Sequence, residues 1–258
     1  MKMQSKIVLF DADSLVYQSI YKVISFGEIR EMIASGKLRF EIEMEILQRG
    51  YDRFEKISFD ILNEIEEHFH VEKTMYFFTK CKNNFRKEIY TQYKENRKKP
   101  NRWISELRDY LIDYWNNSFA HDEYEADDLI FYNAQLLNVD EYIICSIDKD
   151  LKQIEGLHYD YYQLKKYTED GEEFKVRKGF IYMDKTDCEN LLCELFLVGD
   201  SCDNIKGVKG IGKQKANKII QSKNTTYGKF KAICEAYKNE SENWKEKLRM
   251  NYKLLKFQ

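Results

Sequence analysis

The sequence predicts an α/β fold, a twisted and mostly parallel sheet with helices on both faces. Three observations carry this. Short apolar runs at Ile7 to Phe10, Thr74 to Phe78 and Tyr142 to Ser146 have the length and composition of strands buried on both faces. Helix-like stretches separate them, and strands alternating with helices form parallel sheets. The first run ends at Asp11 and Asp148 follows the third, and the carboxyl edge of such a sheet is where ligands bind.

The elements follow in order. After the first strand, Leu47, Tyr51, Phe54, Ile61, Ile65 and Phe69 recur at near-helical spacing, so Met44 to Phe69 reads as a long amphipathic helix packed on the sheet. Further helices are expected from Arg102 to Tyr114 and from about Tyr124 to Leu137. The Asp170-Gly171 dipeptide between Tyr-, Phe- and Val-containing segments predicts a β-hairpin. Beyond Asp187 the chain reads as helical almost to its end, interrupted by the glycines at 199, 207, 210 and 212.

With one proline in 258 residues and 43% hydrophobic residues, most of the chain is expected to be ordered. The net charge of −2 hides a segregation. Thr79 to Arg102 holds nine Lys or Arg against two Glu, Ile205 to Lys231 holds eight Lys and no acid, and His121 to Asp128 holds five carboxylates. Separate basic and acidic zones suggest a polyanion partner together with cations that neutralise the acids. The six cysteines lack zinc-ligand spacing and read as reduced thiols of a cytosolic protein. No segment approaches the ~20 apolar residues of a membrane span, so a soluble protein with no membrane partner is expected.

Four acidic clusters stand where an α/β site is assembled. Asp11 and Asp13 end the first strand, Glu125, Asp127 and Asp128 open a helix, Asp148 and Asp150 follow the third strand, and Asp200 and Asp203 flank a glycine-led turn. Carboxylates brought together repel by several kcal/mol per pair unless they share protons or cations, and hard oxygen ligands suit Mg²⁺ or Mn²⁺. Two such ions activate a water and stabilise the leaving oxygen of a phosphodiester. Each motif alone also has an ordinary explanation: acids in a helix's first turn are favourable there. An Asp-x-Asp at a strand end also occurs in haloacid-dehalogenase-type phosphatases, but that chemistry leaves the lysine-rich glycine segment without a role.

That segment runs from Gly207 to Ala216, with Gly210, Gly212, Lys213 and Lys215 inside it. Glycines at these spacings let a tight hairpin expose backbone N–H groups with a helix N-terminus behind, a cradle for DNA phosphates. Upstream, Arg86, Tyr93, Lys94, Arg97 and Lys98 interleave cations with an aromatic ring, which suits a frayed or single-stranded end.

Together these motifs resemble the flap endonuclease and 5′→3′ exonuclease superfamily. The matching residues are Phe10-Asp11 through Tyr17, Tyr93-Lys94-x-Asn-Arg97, Glu125-Ala-Asp127-Asp128, Asp148-Lys-Asp150, and Gly199-Asp200-Ser-Cys-Asp203-Asn204-Ile with the hairpin behind it. They occur in the family's order and span nearly the whole chain. The resemblance implies a nuclease core over 1–186 with a helical arch around 80–120, and a helical region over 187–258 carrying a helix–hairpin–helix. It implies one metal ion near Asp11, Glu125, Asp127 and Asp128 and a second near Asp148, Asp150, Asp200 and Asp203, both magnesium with manganese as a substitute. Asp11, Asp128, Lys94 and Arg97 are then the catalytic residues. Lys94 and Arg97 polarise the scissile phosphate, Tyr93 stacks on a base, and the hairpin holds duplex DNA together with a potassium ion. The implied activity is hydrolysis of DNA at 5′ ends or flaps, in the cytoplasm, or the host's if the chain is viral. One departure stands out: Thr79-Lys80-Cys81 replaces the family's usual aspartate after the second strand, which weakens the first metal site and places a lysine to oppose it. Asp13 compensates in this reading, and the alternative is a structure-selective DNA-binding protein with impaired catalysis.

Overall fold

A computed structural model describes residues 4–21, 23–167 and 173–257. In chain order the elements are β1 (Ser5–Asp11), α1 (Ala12–Ile20), α2 (Phe26–Ala34), α3 (Arg39–Glu66), β2 (His70–Thr79), α4 (Phe85–Ile89), α5 (Arg102–Tyr114), β3 (Ser118–His121), α6 (Ala126–Gln135) and β4 (Tyr142–Cys145). A 3₁₀ turn (Asp150–Gln153) leads to β5 (Gly156–Tyr167), β6 (Glu173–Met183), α7 (Lys185–Val198), β7 (Gly199–Asp200), β8 (Ile205–Lys206), α8 (Lys213–Gln221), α9 (Thr226–Lys238) and α10 (Trp244–Leu255).

Among the described residues, six strands form one sheet in the order β3-β2-β1-β4-β5-β6, parallel except where β6 runs back along β5. The chain winds outward from β1 in both directions, first to β2 and β3 and then to β4 and β5. The carboxyl end of β1 is therefore the point where the winding reverses, and a crevice opens there.

The alternation of side chains along each strand builds a layer on each face. Val8 and Phe10 of β1, with Tyr76 and Phe78 of β2, pack against α1, α3 and α5 through Leu15, Phe54, Ile61 and Leu107. Leu9, Met75 and Phe77 point the other way, against Ala126, Ile130 and Ala134 of α6. A separate core ties α7, α8, α9 and α10 together around Leu197, Val208, Ile220 and the buried Tyr237, whose hydroxyl donates to the Phe196 carbonyl at 2.6 Å.

The three predicted strands are β1, β2 and β4, and the predicted helices are α3, α5 and α6, shifted by a few residues at their ends. α1, α2 and β3 were not anticipated. The predicted Asp170-Gly171 turn lies outside the described residues, between the paired strands β5 and β6. Around 80–120 stand the short α4, the turn at 91–97 and α5. Among the described residues, no helix is long and apolar enough to cross a membrane.

Candidate active site

Four separate stretches of chain deliver acids to the crevice. Asp11 stands at the last position of β1, between the ends of β2 and β4. Glu125 and Asp127 open α6, Asp148 and Asp150 follow β4, and Asp203 comes from the β7–β8 turn. With Asp13, Lys94, Arg97 and Arg108 they line a cavity of about 440 Å³. Asp200 lines a smaller adjoining cavity with Asp127, Asp150 and Asp203.

The acids are held individually. The hydroxyls of Ser14 and Ser146 donate to Asp11 Oδ2 at 2.7 and 2.8 Å. Burial, with Asp13 beside it, still pushes the Asp11 carboxyl up to about 6. Burial and then Asp148 push Asp150 up to about 7, and burial and then Glu125 push Asp127 well above the ordinary carboxylate range. Asp150 Oδ1 is buried without a hydrogen-bond partner, the Lys149 ammonium standing 3.8 Å away. Asp200 differs. Burial would raise it, but Lys149 at 3.6 Å and the backbone N–H groups of Cys202 and Asp203 hold it low.

Basic side chains occupy the cluster from one side. The turn at 91–97 is laced onto the β7–β8 loop: Lys94 N–H donates to the Asp203 carbonyl at 3.1 Å, Asn96 Nδ2 to that of Ser201 at 2.6 Å, and Asn204 Nδ2 to that of Gln92 at 2.9 Å. This lacing holds Lys94 at φ 57, a conformation that non-glycine residues rarely adopt. Lys94 Nζ lies 2.6 Å from Glu125 Oε1 and 3.8 Å from Asp203 Oδ2, while Arg97 pairs with Asp203. Burial would lower the Lys94 ammonium, but Glu125, Asp203 and Asp127 outweigh it and keep the lysine charged. Burial also raises Glu125, and Lys94 and Arg86 reverse that, so it stays ionised. With the basic chains in place, no three His, Cys, Asp or Glu side chains among the described residues are grouped so that they could hold a metal ion. The donor set still fits one: hard oxygens with raised proton affinity and one buried orphan oxygen are a constellation that a divalent cation satisfies.

Six of the eight sequence-predicted metal ligands line the main cavity, and Asp200 adjoins it. Asp128 does not line it. Its two oxygens accept Arg86 Nη1 and Nη2 at 2.5 and 2.7 Å, and it is 1% exposed, so its expected catalytic role is corrected to a buried ion pair. Arg86, expected to touch DNA, is 2% exposed and committed to that pair. Tyr93, expected to stack on a base, is also 2% exposed, its hydroxyl 2.8 Å from Glu125 Oε2 and 3.0 Å from Asp203 Oδ2. It braces the two acid groups from inside. Lys98 and Arg97 are exposed as expected.

Lys80 does not oppose the site. Its ammonium reaches outward to Asp109 and Asp113 of α5, 3.9 Å from each. Thr79 is tied to both neighbouring acid stretches: its Oγ1 accepts Ala126 N–H at 3.0 Å and its N–H donates to Asp13 Oδ2 at 3.1 Å. Asp13 also pairs with Arg108 at 3.0 Å. Arg108, Ser14, Ser146 and Asn84 escaped the sequence reading. Ser14 lies inside the first motif and was legible in principle, whereas Arg108 is one cation among many on an amphipathic helix.

The glycine hairpin stands between α7 and α8. A Cβ on Gly207 would lie 2.3 Å from Val198 C and 2.5 Å from Gly199 N, so the close approach of two backbones there requires glycine. Gly210, at φ 78, and Gly212 face open space just before the N-terminus of α8. Lys213 and Lys215 are exposed, Lys213 only 3.6 Å from Glu194.

Fold and site thus define an α/β protein with an acid cluster at its sheet's switch point and cations facing it. Residues 6–181 match the family model for the 5′–3′ exonuclease N-terminal, resolvase-like domain, and the chain belongs to that family. It is similar to DNA polymerase I of Bacillus caldotenax, 27% identical over 96% of this chain and 27% of that protein. It therefore spans about a quarter of that relative's length. It is also similar to flap endonuclease Xni of Shewanella woodyi, 29% identical over 68% of this chain and 71% of the relative, and to a 5′–3′ exonuclease of Mycoplasma pneumoniae, 26% identical over 84% and 72%. The fold is that of the bacteriophage T5 5′-exonuclease, at TM-score 0.60 and 17% identity over 98% of this chain and 89% of that one.

Proposed function

We propose that the chain is a divalent-metal-dependent nuclease that hydrolyses DNA phosphodiester bonds at or near 5′ ends or flaps. The observation that carries this reading is the convergence of acids from four stretches of chain on one cavity that also holds Lys94 and Arg97. The relatives support it: those named 5′–3′ exonuclease and flap endonuclease are phosphodiester hydrolases, and the T5 5′-exonuclease has been solved with bound divalent metal ions.

Asp11, Glu125, Asp127, Asp148, Asp150, Asp200 and Asp203 would hold two magnesium ions, or manganese in their place. Bound there, the ions supply a water of lowered pKa and screen the charge that builds on the phosphate. The chain's own residues do the rest. Lys94 and Arg97 exchange a carboxylate partner for a phosphate oxygen, a contact of the same charge-assisted kind. The serines on Asp11 fix its direction. Gly210, Gly212, Lys213 and Lys215 present N–H groups and ammonium charge to a duplex backbone, with potassium as the cation at that hairpin. In this reading 1–186 forms the nuclease core, 187–258 adds Asp200 and Asp203 to its site and carries the gripping hairpin, and the protein works in the cytoplasm.

The test is incubation of 5′-labelled duplex and flap DNA with Mg²⁺ or with chelator. Short labelled products that need the metal support the reading. DNA left intact with both Mg²⁺ and Mn²⁺, yet retained in a gel shift, marks a binding protein instead.

A further inference from the structure

Arg86 has no part in the chemistry proposed above, yet its side chain is the most tightly committed cation near the site. Both terminal nitrogens meet both oxygens of Asp128, and Nη1 lies 3.5 Å from Glu125 Oε2. Its Nε donates to the carbonyl of Leu254 on α10 at 3.0 Å, 168 residues away. Asn84 completes the ring, accepting Arg86 N–H at 2.8 Å and donating to Glu125 Oε1 at 3.0 Å. Leu254, Leu255 and Phe257 line the small cavity that contains Asp127, Asp150, Asp200 and Asp203.

We propose that Arg86 is a positioning residue that couples α10 to the acid-bearing end of α6, so that the last turn of α10 sets where Glu125 and Asp127 stand. This deepens the nuclease reading and rests on it. A guanidinium is needed because its planar fork spans two carboxylate oxygens and still offers Nε to a carbonyl, whereas an ammonium is a point charge. Groups that orient metal-binding side chains through hydrogen bonds govern affinity without touching the ion.

The experiment uses the full chain with Arg86→Lys, and Mn²⁺ titrated without DNA by the loss of its free-ion paramagnetic signal. Alongside it run steady-state cleavage of a labelled flap and flap affinity in Ca²⁺. Expected for Arg86→Lys are Mn²⁺ binding and kcat each down about 10–100-fold, with KM and flap affinity within about threefold of wild type. Wild-type Mn²⁺ binding overturns the proposal, whether or not flap affinity falls; with flap affinity lost, Arg86 is a nucleic-acid contact. Should Arg86→Lys not fold, the double variant Arg86→Met with Asp128→Leu removes both charges, a change that buried pairs often tolerate. Its folded form is expected to lose Mn²⁺ affinity equally, and normal affinity there overturns the coupling. A wild type that binds Mn²⁺ but cuts nothing sinks the nuclease reading alone, since the titration still decides the role of Arg86. A wild type that binds no Mn²⁺ sinks both.

Discussion

Lys94 Nζ lies 2.6 Å from Glu125 Oε1, so a side chain expected to meet phosphate is here the counter-ion of a proposed metal ligand. The two roles are compatible: a phosphate oxygen replaces the carboxylate as metal takes over Glu125. Lys94→Ala is expected to lower kcat by about 10²–10³, because a positioned charge acts mainly on the transition state. Folding should survive, since Asn84, Tyr93 and Arg86 still face Glu125. Single-turnover cleavage and DNA affinity measured side by side decide it; equal losses in both would make Lys94 a mere anchor.

Thr79→Asp is expected to strengthen metal binding. Thr79 lines the cavity, and its Oγ1 already accepts a backbone N–H that an aspartate oxygen can accept as well. The added carboxylate supplies another hard ligand. The Mg²⁺ concentration for half-maximal cleavage should fall, and a rise would exclude the end of β2 from the metal site.

Stability of the metal-free protein should fall as pH rises from about 5 to 8. Asp11 and Asp150 have raised folded values, about 6 and about 7, so the folded state holds protons that the unfolded chain has released. Their contribution is therefore favourable at the acid end of this window and lost through it. Added Mg²⁺ should reverse the slope, because it binds the deprotonated acids. Thermal melts with chelator and with Mg²⁺ across the window test both signs.

Substituting Lys213 and Lys215 together by Ala should weaken duplex binding and reduce the slope of log affinity against log salt by about two. The Lys213 to Glu194 pair is exposed and weak, so the lysine is available to phosphate. An unchanged slope removes the hairpin from the DNA interface.

Gly207→Ala should cost about 3 kcal/mol, since its methyl would meet backbone that cannot yield. Gly210→Ala should cost about 1 kcal/mol, only the expense of a left-handed φ in open space. Denaturant melts of the two variants distinguish a packing glycine from a turn glycine.

The sheet was legible because strands buried on both faces are continuous apolar runs, and α3 because its period is unbroken over seven turns. α2 was missed although Phe26, Ile29, Met32 and Ile33 recur at helical spacing; in the structure that face buries none of its residues. In the site, the acids announced themselves by their place after strands, whereas the inward turn of Arg86 onto Asp128 and α10, and of Tyr93 onto Glu125 and Asp203, joins residues far apart in sequence. A basic and aromatic stretch looks the same in sequence whether it faces solvent or folds inward, and Arg86 and Tyr93 folded inward. Lys80 illustrates the converse: its charge was read correctly and its direction was not.

Where Gly199 and Gly207 meet, skeleton lies against skeleton with no side chain between, one residue from Asp200. A joint of that kind has no give. In the proposed nuclease, grip and blade are thus mounted on one strut, and the span between the held duplex and the cutting acids is a fixed gauge. Lengthening the turn beyond Gly207 would move the position of the cut along the strand before it altered its speed.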